Sequence, residues 1–258
     1  MIRPLHLLFI LVIDVIWAFN TLAIKYAVEA VDPITAVFLR YAIVLAVCLP
    51  WLKWLSGRMG TILIAGVIGG ALFFGTGGVA FAYADNVAAL AIAGQLGVPF
   101  ALILAVAFMG ERISWPRMTG IALAFAGVAM LAFDPAIFDE RLALWLTVFA
   151  AGCWAVSSIL MRRLQGVPVL TIHAWMALIS LPVLGTASLI YEPGELARAG
   201  QMPLWAFGWL GYSAVGASII GHAGMSWLLQ RYPVSVISPL TLPTPLLSVI
   251  VAVVVLGN

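Results

Sequence analysis

The chain has 258 residues, of which 64% are hydrophobic and 9% charged, with a formal net charge of +2. Soluble domains carry about 25% charged residues, so this composition, with a mean hydropathy of +1.16, excludes a soluble domain and predicts a membrane protein. The small positive balance comes without a basic cluster, which excludes a nucleic-acid partner.

About 20 consecutive apolar residues suffice to cross a bilayer as a helix. Such runs fall at 5–27, 34–55, 61–84, 87–109, 113–133, 142–162, 169–191, 204–229 and 235–256, predicting an all-α polytopic protein of nine helices with short connections. A closed barrel is the other way to span a membrane, but these runs lack its alternation. The first run is too long for a cleaved signal peptide and is kept as a span. The longest link, 192–203, is too short for a soluble domain. Cys48 and Cys153 sit in separate apolar runs and read as packing residues. His6, His173 and His222 are scattered, so no metal or other cofactor is expected.

Lys and Arg in the connections give the orientation. One set of helix ends holds Arg3, Lys53, Arg58, Arg112, Arg117, Arg162, Arg163 and Arg231. The other holds Arg141 and Arg198, with Lys25 and Arg40 just inside the helices. That side also collects Glu29, Asp32, Asp85, Asp134, Asp139, Glu140, Glu192 and Glu195. The asymmetry predicts a cytoplasmic N-terminus.

The first helix carries a polar stripe in a lipid-soluble run. At about 100° per residue, Asp14, Trp17, Thr21 and Lys25 share a face, with Asn20 beside Trp17. Ionisable and polar groups in a membrane helix normally face a bundle interior or a wet cavity.

The same segment recurs. "WAFNTLAIK" (17–25) aligns with "WAVSSILMR" (154–162) at an offset of 137, and "VPFALILAVAFMGE" (98–111) resembles "TPLLSVIVAVVVLGN" (244–258). Five helices separate the copies, and an odd number inverts the second copy relative to the first. Two repeats follow, 1–134 and 135–258.

These residues resemble the drug/metabolite transporter superfamily in its EamA-type branch. Trp17, Asn20 and Lys25 match its opening segment, Arg40 in "VFLRYA" its second-helix arginine, and Pro99, Gly110 and Glu111 its fourth helix. "GERISWPRMTGIALAFAGV" (110–128) is the strongest single piece. Within the branch the chain is similar to YddG-type bacterial exporters of aromatic amino acids. The resemblance implies ten helices in two inverted five-helix repeats. Only four helices of the second repeat precede Asn258, so a tenth helix is expected beyond it.

Interrupted helices at matching places in two halves point to a transporter's site. The fourth helix contains "AGQLGVP" with Pro99, and the ninth "SPLTLPTP" with Pro239 and Pro243. A proline in a helix frees carbonyls, which need a polar neighbour or a cavity. Alternatively the kink is packed and satisfied by Ser238, Thr241 or Thr244. Around a cavity there, the pattern places Trp17, Asn20, Thr21, Tyr83, Trp154, Ser157, Ser158, His222 and Ser226. Aromatic faces stack on aromatic or cationic guests, and hydroxyls hold a zwitterion without net charge; the plainer alternative is that the tryptophans fill the interhelical core.

Asp14, about 15 Å into its helix at 1.5 Å per residue, is a proton carrier, an ammonium ligand or a structural hydrogen-bonder. Lys25 and Arg40 near helix ends either guide a substrate carboxylate or anchor by snorkelling. Glu111 fits a helix-end bond better than a transport role, and Gly120 and Gly127 fit close helix packing. Ser218 and His222, four apart, lack an orienting carboxylate, so no enzyme is expected.

The sequence thus predicts a secondary transporter in a bacterial inner membrane, exporting amino acids by alternating access. Its partners would be a small-molecule substrate and the lipid bilayer. The rivals are an organic-phosphate, nucleotide-sugar or multidrug-cation carrier, and a structural or assembly subunit of a membrane complex.

Overall fold

In lipid every backbone polar group must be satisfied within the protein, which leaves helices as the solution for an apolar chain of this pattern. The computed structural model describes residues 2–84, 87–132 and 140–256, and no strand occurs among them. Asp85, Asp134 and Asp139 of the acidic side, Phe133 at the end of the fifth expected span, and Asn258 lie outside the described residues.

Eight helices among the described residues are long and apolar enough to cross a membrane: Pro4–Val28, Pro33–Trp51, Met59–Ala80, Ile92–Met109, Arg141–Arg163, Val169–Tyr191, Leu204–Leu229 and Val234–Val255. They coincide with the expected spans one to four and six to nine. The fifth expected span is the helix Trp115–Ala132.

Proline starts several of these helices, where its missing N–H is needed by no partner. Pro4 and Pro33 occupy the first helical positions of the first two helices, and Pro168, Pro203 and Pro233 the caps before the seventh, eighth and ninth. Glycine ends the fourth. Gly110 takes φ +66°, a left-handed cap, and the next amide, Glu111 N–H, bonds back to Ala105 O at 3.2 Å. That turn aims Glu111 across the bundle at the start of the ninth helix.

Contacts between the two halves dominate the packing. The second helix lies along the seventh, the third along the sixth and seventh, the fourth along the sixth, and the first along the eighth and ninth. Ile13, Ile62, Ile172, Leu228 and Ile237 are fully buried in the largest core cluster, which draws on both halves. Large apolar side chains such as Leu8, Phe108, Leu123 and Leu246 stay on the outside, the surface that lipid covers.

Four helices are irregular, and they pair between the halves. The fourth is interrupted at Gln95–Leu96, between Val87–Gly94 and Gly97–Met109. The ninth is interrupted by a 3₁₀ turn, Ser238–Thr241, ahead of Thr244–Leu256. Both interruptions fall where "AGQLGVP" and "SPLTLPTP" lead one to expect them. The third and eighth helices contain π-helical stretches, Gly66–Leu72 and Ser213–Ala223, whose starts lie 147 residues apart. Such wide turns concentrate at functional sites, and nothing in the apolar pattern announces them.

Gly120 and Gly127 depart from expectation. A Cβ on either would meet nothing within 4 Å, so no helix among the described residues packs closely there; the fifth helix is peripheral, and its Trp115 and Met130 are exposed.

Candidate functional site

The third and eighth helices bring their π-helical stretches to the middle of the bundle, where they meet the sixth and seventh. Close approach there depends on missing side chains. A Cβ on Gly69 would collide with Ser157, and one on Gly70 with Ser180. Between these helices lies a cavity of about 40 Å³ whose wall includes Trp154, Ser157, Ser158, His173, His222 and Ser226, together with Tyr41, Phe73, Phe74, Met176, Ser218 and Met225. Pockets for small molecules measure about 300–1,000 Å³. This conformation therefore admits water and must widen to admit a metabolite.

His222 is the hub of the aromatic wall. Its ring centroid lies 4.9 Å from that of Trp17, 5.3 Å from Phe74 and 6.4 Å from Phe73. Trp17 is fixed from the other side, its indole N–H donating to Ala217 O at 3.2 Å, and its ring closes on Gly221, where a Cβ would overlap it. Trp154 has a similar backing: a Cβ on Gly97 would sit 3.1 Å from its ring. The interruption of the fourth helix thus rests directly on a cavity tryptophan. The hydroxyls are set by their own helices, Ser158 donating to Trp154 O at 3.0 Å and Ser226 to His222 O at 2.8 Å.

Of the residues named from sequence, the structure gathers Trp154, Ser157, Ser158, His222 and Ser226 on the cavity wall, with Trp17 one ring behind. The rest of the first-helix stripe goes elsewhere. Asp14 is buried and its Oδ1 accepts from Thr244 Oγ1 at 2.8 Å, while Thr21 Oγ1 reaches Ser248 Oγ at 3.2 Å. Both bonds cross to the ninth helix, just beyond its interruption. Asn20 is buried, with its side-chain oxygen unpartnered. Pro99 is buried two residues past Gly97, Pro239 lies in the 3₁₀ turn, and Pro243 follows it on the exposed side. Of the groups expected to satisfy the ninth-helix kink, Thr241 does so locally, donating to Ser238 O at 2.8 Å, whereas Thr244 serves Asp14. Tyr83 is 52% exposed, and Lys25 is exposed in the last turn of the first helix, as an anchor would be.

Arg40 requires a correction. It was expected near a helix end, either guiding a substrate carboxylate from there or anchoring by snorkelling. Instead it sits mid-way along Pro33–Cys48 and is only 5% exposed. Its Nε donates to Ser218 Oγ at 2.7 Å, and its guanidinium carbon lies 5.0 Å from the Phe74 ring centroid. Ser218 is thus bonded to Arg40 and, at 3.4 Å, to Ser213 O rather than to His222. The second helix begins at Pro33, seven residues earlier, so the side chain is too deep to reach that end.

Sequence reasoning did not place Phe73, Phe74, His173, Met176 or Ser218 at the cavity, although it weighed His173 as a metal ligand and Ser218 as a nucleophile. The glycine-dense run "GVIGGALFFGTGG" (66–78) was the available signal, since close helix approach needs small residues. His173, whose Nδ1 lies 3.0 Å from Val169 O, read as isolated because no pattern gives the distance between the seventh and eighth helices.

The EamA-like transporter family matches this sequence in two stretches, residues 4–133 and 141–258. The chain belongs to this family. Among its relatives is a protein of Salmonella typhimurium described as "Probable amino-acid metabolite efflux pump", 26% identical over 264 residues, covering 96% of this chain and 86% of that protein. A protein of Escherichia coli with the same description is 27% identical over 259 residues, with the same coverage. An "Uncharacterized transporter" of Archaeoglobus fulgidus is 27% identical over 252 residues, 94% of this chain and 87% of that one. A solved crystal structure superposes with a TM-score of 0.71 at 19% identity, covering 100% of this chain and 90% of the other, and shares its fold. This EamA-family protein is therefore a multi-pass integral membrane transporter.

Proposed function

We propose that this transporter exports small metabolites, foremost amino acids with aromatic or other hydrophobic side chains, across a bacterial inner membrane. The N-terminus is cytoplasmic, on the strength of the Lys and Arg asymmetry. The observation that carries the substrate reading is the cavity wall: tryptophan, phenylalanine and methionine for an apolar side chain, with Ser157, Ser158 and Ser226 for polar groups. The relatives described as amino-acid efflux pumps support it, and so does the resemblance to YddG-type exporters. Among the described residues no Lys or Arg lines the cavity and Arg40 alone stands behind it, which suits the several charges of an organic phosphate or a nucleotide sugar poorly.

The mechanism is alternating access between two inverted repeats, 1–134 and 135–258. Supporting it are the two-stretch family match, the paired interruptions in the fourth and ninth helices, and the paired π-helical stretches in the third and eighth. Trp154, Ser157, Ser158, His222 and Ser226 touch the cargo, and Trp17 supports His222. Asp14 and Thr21 tie the first helix to the ninth, so that both move together about Pro99, Pro239 and Pro243. Asn20 and Tyr83 flank the path outward.

Counterflow in proteoliposomes tests this with labelled phenylalanine, tryptophan and leucine, an organic phosphate and a lipophilic cation. Saturable amino-acid exchange, abolished by Trp154→Ala and His222→Ala, is the expected result. Exchange of only the phosphate or the cation rejects the substrate. No exchange by folded, reconstituted protein returns the structural or assembly subunit to the front.

A further inference from the structure

Among the described residues Arg40 has no counter-charge in contact. Its guanidinium stays protonated in any protein environment, and it is 5% exposed about 10 Å into a membrane helix at 1.5 Å per residue. Among the described residues no carboxylate lies within 4.0 Å of it. Five N–H donors are available on this side chain. Nε uses one on Ser218, and Nη2 is buried with no hydrogen-bond partner. An ionisable group held in the membrane interior is costly, and its retention points to function.

Its position says which function. The two groups that hold Arg40, Ser218 and Phe74, are both cavity wall. The guanidinium therefore stands directly behind the wall that a cargo would touch, and widening of the cavity at Ser218 exposes its free donors. The neighbouring His222, Tyr41 and Phe74 supply no negative charge.

We infer that Arg40 is the docking point for a carboxylate on the transported molecule, which makes the cargo a small monocarboxylate or zwitterion with an apolar side chain. This rests on the transporter reading only in that the bound molecule is cargo. A guanidinium pairs with a carboxylate through two parallel N–H bonds; one such pair neutralises the guanidinium, and the ammonium of a zwitterion is left to the serine hydroxyls of the wall. An organic dianion leaves a net charge there, and an organic cation meets repulsion. Discrimination thus comes from the carboxylate, while the aromatic wall accepts a range of side chains.

Binding, measured apart from flux, tests this. Purified protein in detergent is titrated with 3-phenylpropionate, L-phenylalanine, phenethylamine and sodium chloride, reading thermal stabilisation and calorimetric affinity. The expected result is at least about tenfold tighter binding of the two carboxylates than of phenethylamine. Arg40→Gln abolishes that preference and Arg40→Lys retains it in part. No carboxylate preference in the wild-type protein overturns the inference, whether or not Arg40→Gln folds. So does an unchanged preference in Arg40→Gln, or saturation by chloride alone that blocks the carboxylates. Carboxylate binding without counterflow in vesicles leaves Arg40 as an anion site and defeats the exporter reading instead, so the two failures are distinct.

Discussion

Glu192 closes on Thr35 across the two halves of the molecule, its Oε2 accepting from both the Thr35 amide and the Thr35 hydroxyl at 2.7 Å. Oε1 accepts from the Ile34 amide, also at 2.7 Å. Because the Thr35 hydroxyl proton goes to Glu192, Ser188 must donate the bond that joins its Oγ to Thr35 Oγ1 at 2.6 Å. The exposed amides of the second helix, its positive pole, are thus held by a buried carboxylate from the end of the seventh. At the opposite end Glu111 does the same to the ninth helix, accepting from Val234 N–H at 3.0 Å and Ser235 N–H at 2.9 Å. At the Glu192 end Glu195 adds a second such bond, accepting from the Asp32 amide at 3.3 Å, so carboxylates join the halves at both ends of the bundle.

Hydrogen bonds to a charged group contribute about 1.5–3 kcal/mol. Glu192→Ala should therefore lower the melting temperature and loosen the Glu192 end. In a background with Cys48 and Cys153 replaced by alanine, an Ile34→Cys reporter is buried when the contact is made. Labelling by an impermeant maleimide should rise several-fold in Glu192→Ala and stay unchanged in Glu111→Ala. Equal labelling in all three proteins would show that the contact does not close that face.

Gly221 is needed for the Trp17 indole to reach His222. Gly221→Ala overpacks that contact, an effect worth about 1–3 kcal/mol, and should lower the melting temperature. Adding Trp17→Leu should recover part of the loss, since the colliding ring is then gone. A strictly additive double variant, in a thermal-melt cycle, would place the cost elsewhere.

Asp14 acts here as an acceptor for Thr244. Asparagine keeps an acceptor oxygen at that position, so Asp14→Asn should retain counterflow within about twofold, whereas Asp14→Ala leaves the Thr244 hydroxyl without its partner and costs about 1–3 kcal/mol. Loss of pH-gradient-driven accumulation in Asp14→Asn, with counterflow intact, would make Asp14 the proton carrier instead.

The cavity predictions differ in kind. His222→Ala removes the ring that Trp17, Phe73 and Phe74 surround, and Trp154→Ala removes the ring packed on Gly97. Both should cut exchange at least tenfold while leaving monodisperse protein on size exclusion. Ser226→Ala, which loses only a bond to its own helix, should cost less than threefold.

The sequence alone located the helices, because in lipid an apolar run of sufficient length has one way to satisfy its backbone; it overran the second, whose helix ends at Trp51 rather than at 55. It also located the interruptions at "AGQLGVP" and "SPLTLPTP", since glycine and proline act on the chain locally, and the matching of Trp17 with Trp154. What it left open depended on where helices meet. The π-helical stretches, the ring cluster around His222, the turn of Asp14 and Thr21 toward the ninth helix, and the burial of Arg40 were decided by tertiary packing. Arg40 makes the reason plain. Its place in "VFLRYA" gives its height along one helix, but whether a charge at that height faces lipid, water or a serine 178 residues away is a relation between helices, and no periodicity within a single helix encodes it.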